Sequence, residues 1–138
     1  MWNGTRKMAE AIAKGITEED PDVRVALFNI ARSDKNDIIT EVFKSKAVLA
    51  GSSTINRGML SAVAGFLEEM RGLGFKNKKA AAFGCYGWSG ESVKMISDQL
   101  KEGGFEMINN GLREQWDPDN EAVENCIRFG RDIAVDCK

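Results

Sequence analysis

Apolar residues recur every fourth position from Met8 through Ile12 to Ile16, and Ala9 and Ala13 widen that stripe. The spacing predicts an amphipathic helix over residues 5–16. The stretch TEEDPD then breaks the period. In VRVALFNI, residues 23–30, Val and Leu alternate with Arg and Ala, and the β-branched content predicts a strand. Residues 33–45 return to helical spacing, with Ser33 or Asp34 as the N-cap. KAVLAGSST is a compact apolar run ending in a glycine and three hydroxyl residues, which predicts a buried strand opening into a polar loop.

The pattern then repeats. A helix is predicted over residues 60–73, carrying Val63, Phe66, Leu67 and Met70 on one side, and KKAAAFGCYG reads as a second buried strand entering a glycine-rich loop. A helix follows from Ser89 to the Gly103-Gly104 pair, which stops it. Residues 105–116 form a strand with an interruption at Asn109-Asn110-Gly111, and Asp117-Pro118 opens a last helix reaching about Asp136. Helices and strands therefore alternate throughout. That order predicts an α/β, doubly wound, three-layer αβα sandwich around a parallel sheet, with residues 1–138 as one domain.

Ligands of such sheets sit beyond the carboxyl ends of the strands, and three loops fall there. The first, Trp2-Asn3-Gly4-Thr5, feeds a helix N-terminus whose free N–H groups suit a phosphate, although alone it is equally a plain helix cap. The second carries Ser52, Ser53, Thr54 and Asn56, hydroxyls and an amide able to bond a polar heterocycle. The third sets Tyr86 and Trp88 among Gly84, Gly87 and Gly90. Glycines there admit close backbone approach and the aromatics offer stacking faces, unless Trp88 folds back into the core. Jointly the loops describe a site for a flat, phosphorylated, aromatic ligand, flavin mononucleotide (FMN).

Composition narrows the chemistry. A net charge of −2 speaks against nucleic acid, and no apolar run is long enough for a membrane span. Three cysteines without a Cys-x-x-Cys pair give no disulfide framework or zinc ribbon, which fits a reducing cytoplasm. The chain has no histidine, so His-based metal centres and Ser-His-Asp triads are excluded. No catalytic residue and no metal site is expected in it; redox chemistry has to come from a bound cofactor or a partner.

The segments MWNGTRKMAEAI, GSSTINRGM and AFGCYGWSGESV resemble the flavin-contacting loops of the flavodoxin-like domain in flavodiiron proteins, the oxygen and nitric oxide reductases that include the flavorubredoxins. FNIARSDKNDI and GFEM are similar to that family as well. The resemblance implies a sheet order 2-1-3-4-5. It places Trp2, Asn3, Gly4 and Thr5 at the phosphate, and Ser53, Thr54, Ile55 and Asn56 along the ribityl chain and one side of the ring. Gly84, Cys85, Tyr86, Gly87, Trp88, Ser89 and Gly90 line the isoalloxazine, with Trp88 stacked on it and Cys85 a backbone contact. It further implies a rubredoxin or reductase as electron donor, a diiron metallo-β-lactamase-like domain as acceptor, and a head-to-tail dimer. The ring is expected among apolar atoms with few cations nearby. Against the family pattern, the chain opens inside the phosphate loop, so strand 1 is expected to be missing or truncated. The competing expectations are a cofactor-free interaction module, a standalone flavodoxin or flavin-dependent quinone reductase, and a phosphoacceptor receiver domain. The receiver reading lacks the carboxylate it needs after VLAG.

Overall fold

The computed structural model describes residues 3–138. Along the chain run α1 (Gly4–Glu19), α2 (Lys35–Lys44), β1 (Ala47–Gly51), α3 (Ser61–Leu73), β2 (Lys79–Tyr86), α4 (Glu91–Glu102), β3 (Glu106–Met107), β4 (Leu112–Gln115) and α5 (Asn120–Asp136). All strand pairs are parallel, and β2 lies between β1 on one edge and β3 with β4 on the other. These are the third, fourth and fifth strands of the expected flavodoxin-like order.

The alternation of β2 divides the interior. Ala80 and Ala82 point into one core with Val63, Phe66, Leu67 and Met70 of α3 and Val93, Ile96 and Leu100 of α4. Ala81, Phe83 and Cys85 point into the other, against Met8, Ile12 and Ile16 of α1 and Cys126, Ile127 and Ile133 of α5. A period of two on a strand covered on both faces gives the three layers directly. The small Ala80, Ala81 and Ala82, all fully buried, let the flanking helices close onto the sheet.

The interruption within residues 105–116 is real. β3 ends at Met107, and β4 resumes on the same edge of β2 after Gly111, which has φ 89°. Asn109 Oδ1 accepts from the Gly111 amide at 2.9 Å, the self-bonding turn that asparagine favours. Asp34, rather than Ser33, caps α2, its carboxylate accepting from the Asn36 amide at 2.7 Å. The last helix begins later than Asp117-Pro118, with Asp119 as its cap through the Ala122 amide at 2.8 Å. No helix among the described residues is long and apolar enough to cross a membrane.

One expected strand is not formed. Residues 23–30 are unladdered and surface-lying: Val25 is 37% and Leu27 is 53% exposed. A strand is defined by its neighbour, and among the described residues none lies beside this one; the outer edge of β1 is likewise unpaired. The β-branched composition was legible, but the hydrogen bonds need a partner.

Cys126 is wholly buried, and burial, with a smaller contribution from Glu114, pushes its thiol up from 9.0 to about 12. The unfolded chain ionises this group from about pH 9 while the folded chain keeps it neutral, so its stabilising effect is complete below pH 9 and is lost between 9 and about 12. The urea midpoint should therefore fall from pH 8 to pH 10.5, and fall less steeply in Cys126→Ala. Parallel slopes in the two proteins would show that Cys126 has no part in it.

Candidate functional site

Three loops meet at the carboxyl end of β2, and Cys85 is the point they share. Thr5 Oγ1 and Cys85 Sγ are hydrogen bonded at 3.1 Å, which seats the first turn of α1 on the strand. Gly4 lets the helix start lie close on the strand, for a Cβ there would stand 3.0 Å from Cys85 Sγ. Asn3 precedes the helix in the left-handed region, φ 60°, and its side chain makes no capping bond. The first amides of α1 are thus uncapped by a side chain, and the helix dipole aims them outward at an anion's position. Trp2 lies outside the described residues.

The second loop is tied to the same strand end. The Thr54 amide donates to Cys85 O at 3.1 Å and the Ser52 amide to Phe83 O at 3.2 Å, extending the β1–β2 register past the strand itself. Ser52 is buried and structural: its hydroxyl donates to Ser53 O at 2.8 Å and accepts from the Leu60 amide at 2.9 Å. Ser53 Oγ is also buried but has no partner among the described residues. Ile55 and Gly58 exchange backbone bonds at 2.9 and 2.8 Å around Asn56 and Arg57, whose φ values of 52° and 61° make a tight turn of the type that favours Asn-Gly. Here arginine occupies the glycine position, and the turn holds it at the rim.

Ser92 locks the second loop to the third. Its hydroxyl donates to Ser52 O at 2.9 Å and is bonded to Thr54 Oγ1 at 2.9 Å, while its amide donates to Thr54 Oγ1 at 3.2 Å. Gly84 passes so close to Ser52 O that a Cβ would stand 2.0 Å from it. Beyond it Gly87 is buried, Ser89 and Gly90 lead into α4, and Trp88 stands free, 91% exposed, rather than in the core. Cys85 itself is buried, its thiol and its carbonyl both engaged in joining the loops.

A fourth loop completes the rim. Trp116, φ 57°, donates its amide to Tyr86 O at 2.7 Å and packs edge-on to Trp88, ring centres 5.3 Å apart at 69°. A Cβ on Gly87 would meet the Trp116 ring at 3.1 Å. Lys7 on α1 pairs with Asp117 at 2.8 Å, and Pro118 lies against Gly4. Sequence reading left out Trp116, Ser92 and Arg113. The available signal was position: Trp116 follows β4 at the same carboxyl edge as the three loops.

Two arginines, Arg57 and Arg113, stand at the rim. Arg113 lies over the Tyr86 ring at 5.7 Å, and Arg57 and Arg113 both act on Glu91. Glu91, in the first turn of α4, is held below its ordinary carboxylate range chiefly by the Ser89 hydroxyl and its own backbone amide, with those arginines adding to the effect. Glu91 offsets part of the positive field where a negative ligand approaches.

The fold and the loop cluster are those of the FMN-binding α/β class, and residues 1–130 match the family described as Flavodoxin, to which the chain belongs. Within it, the chain is similar to the flavodoxin-like domain of flavodiiron proteins. It is 57% identical over 134 residues to the anaerobic nitric oxide reductase flavorubredoxin of Klebsiella pneumoniae, covering 97% of this chain and 28% of that protein. The chain thus spans under a third of the length of that curated relative. Rubredoxin oxygen:oxidoreductase from Desulfovibrio gigas superposes with a TM-score of 0.93 at 34% identity, over 99% of this chain and 34% of that one. An archaeal flavodoxin gives 0.88 at 31% identity, over 99% of this chain and 92% of its own. The residues fit FMN on their own evidence. The orphaned Ser53 hydroxyl costs about 1–3 kcal/mol unless a polar group meets it, and the uncapped α1 amides and the free face of Trp88 supply an anion seat and a stacking surface.

Proposed function

We propose that this chain is the FMN-binding electron-transfer module of a flavodiiron-type reductase of oxygen or nitric oxide. The observation that carries the reading is the convergence of the loops on Cys85, which brings the uncapped start of α1, the Ser53-Thr54 hydroxyls and the Trp88 face to one rim. The amides after Asn3, with the Thr5 hydroxyl, hold the phosphate; Ser53, Thr54 and the Ile55-Asn56 turn lie along the polyol and one ring edge. The backbone of residues 84–90 lines the ring, and Trp88 stacks on it. FMN supplies one- and two-electron chemistry, and the protein fixes its orientation and field. Arg57 and Arg113 stabilise negative charge beside the ring, raising its readiness to take electrons relative to a wholly apolar rim.

The relatives named for rubredoxin, nitric oxide and oxygen support the rest of the role. Electrons arrive from a rubredoxin-type or reductase donor and leave for a diiron site on a metallo-β-lactamase-like domain, in the same polypeptide or another subunit.

Titration with FMN tests the reading. Binding should quench flavin fluorescence and broaden the visible bands. Trp88→Ala should weaken binding about 10- to 100-fold, the worth of one aromatic stack, with an unchanged urea midpoint, because the side chain is 91% exposed. FMN that stays fully fluorescent beside folded protein rejects the role.

A further inference from the structure

We infer that the amino-terminal edge of the sheet, at the end opposite the flavin rim, is a docking surface for an acidic polypeptide segment that carries an exposed apolar side chain. Two side chains make the apolar part. Phe43, in the last turn of α2, is 59% exposed, and Leu73, the last residue of α3, is 48% exposed. Phe43 is fixed rather than loose. Its ring packs edge-on to Phe75, centres 4.8 Å apart, and Phe75 is itself buried beside Phe105. Gly104 closes on the Phe75 carbonyl, where a Cβ would stand 2.3 Å from the oxygen. An aromatic ring is thus held rigid and open to solvent, the form in which a side chain binds with little entropy to lose.

Charge selects the occupant. Lys44, Lys46, Lys76, Lys78 and Lys79 all lie at this edge, in a chain of net charge −2. Among the described residues none of them closes an ion pair, whereas Arg6, Lys7 and Lys14 of α1 all do. Part of this charge answers helix ends. Lys78 Nζ donates to Phe43 O at 3.2 Å and Ser45 O at 2.6 Å where α2 stops, and Lys79 Nζ donates to Asp136 O at 2.6 Å where α5 stops. Each helix end offsets only about half a charge. Lys44, Lys46 and Lys76 are exposed, and their ammonium groups bond to nothing among the described residues. The carboxylates on the adjoining elements are Glu106, opposite Lys79 in the β2–β3 register, and Asp136, and neither is in an ion pair. Nucleic acid is a poorer occupant for a chain with net negative charge. A membrane needs a broader apolar face than two side chains. An acidic segment with one apolar anchor satisfies both parts of the patch. Lys79 and Tyr86 are the two ends of β2, about 23 Å apart at the usual rise, so the occupant anchors a partner without touching the flavin rim.

The probe is a peptide with a central phenylalanine and leucine between runs of acidic residues, and the same peptide with serines at the centre is the control. Amide NMR signals should move at residues 43–46 and 73–79, at one peptide per chain. Residues 84–90 should stay still, and FMN should make no difference, so the outcome is independent of flavin binding. Affinity should fall about tenfold for the serine peptide, and about tenfold in Lys76→Glu, an exposed loop position whose reversal leaves the fold intact. Raising the salt from about 0.05 to about 0.5 M should weaken the complex further. Equal binding of both peptides, or shifts centred on Arg57 and Arg113 at the rim, overturns the inference. So does the absence of shifts up to the peptide's solubility limit. Tighter occupation of the same residues by an oligonucleotide or by phosphatidylserine vesicles assigns the edge to nucleic acid or membrane, and overturns it as well.

Discussion

Gly15→Ala is expected to lower the unfolding free energy by about 3 kcal/mol, although alanine is the better helix former by about 1 kcal/mol. Gly15 sits within α1, where a Cβ would stand 2.0 Å from Ile127 O of α5. The contact is reciprocal, for a Cβ on Gly130 would stand 2.1 Å from Ile12 O. Two helices touching backbone to backbone cannot absorb a methyl by turning a side chain, so they must move apart and loosen the core of Met8, Ile12, Cys126 and Ile133. Gly130→Ala should cost a similar amount. The double variant should cost less than the sum, because helices already separated have room for the second methyl. Gly65→Ala and Gly72→Ala on α3 are the controls: nothing lies within 4 Å of either position, and both should stabilise by about 0.5–1 kcal/mol. Urea unfolding measures all five. A Gly15→Ala protein as stable as the parent would mean that α1 and α5 are not in backbone contact in solution.

That contact shows what the sequence could and could not disclose. The stripe of Met8, Ile12 and Ile16 identifies the buried face of α1. Nothing in the local pattern says that Gly15 meets Ile127, because the pairing is made by the sheet that both helices cover. The same division runs through the site. Gly87, Trp88 and Gly90 are legible as a ligand loop because they fall between β2 and α4, where their types serve no strand or helix. Ser92 reads as an ordinary helix residue, and its role appears only when Ser52 O and Thr54 Oγ1, 40 and 38 positions away, are brought to it. Trp116 is hidden similarly: its left-handed backbone and its packing against Gly87 depend on β4 pairing with β2. Residues 23–30 are the reverse case. Their composition announces a strand, but a ladder is a property of two segments, and among the described residues the second is not there.

Gly84→Ala should reduce FMN affinity at least 100-fold, about 2.7 kcal/mol, and should do so together with a loss of stability of about 2–3 kcal/mol. The reason lies in the β1–β2 junction. A Cβ at this position would stand 2.0 Å from Ser52 O, a backbone atom that is also the acceptor for the Ser92 hydroxyl. Room can be made only by displacing the end of β1 from β2, which also pulls the Thr54 amide from Cys85 O. The second loop then leaves the rim, while Thr5, Trp88 and the α1–α5 half keep their positions. Ser92→Ala removes the same tie without adding bulk, so its affinity loss should fall between those of Gly84→Ala and Trp88→Ala. The pairing of readouts separates the effects: Trp88 acts on the ligand alone, whereas Gly84 and Ser92 act by holding two loops together. If Gly84→Ala lost stability yet bound FMN as tightly as the parent, the Ser53-Thr54 loop would have no share in the flavin site. The proposal would then rest on the α1 start and the residues 84–90 alone.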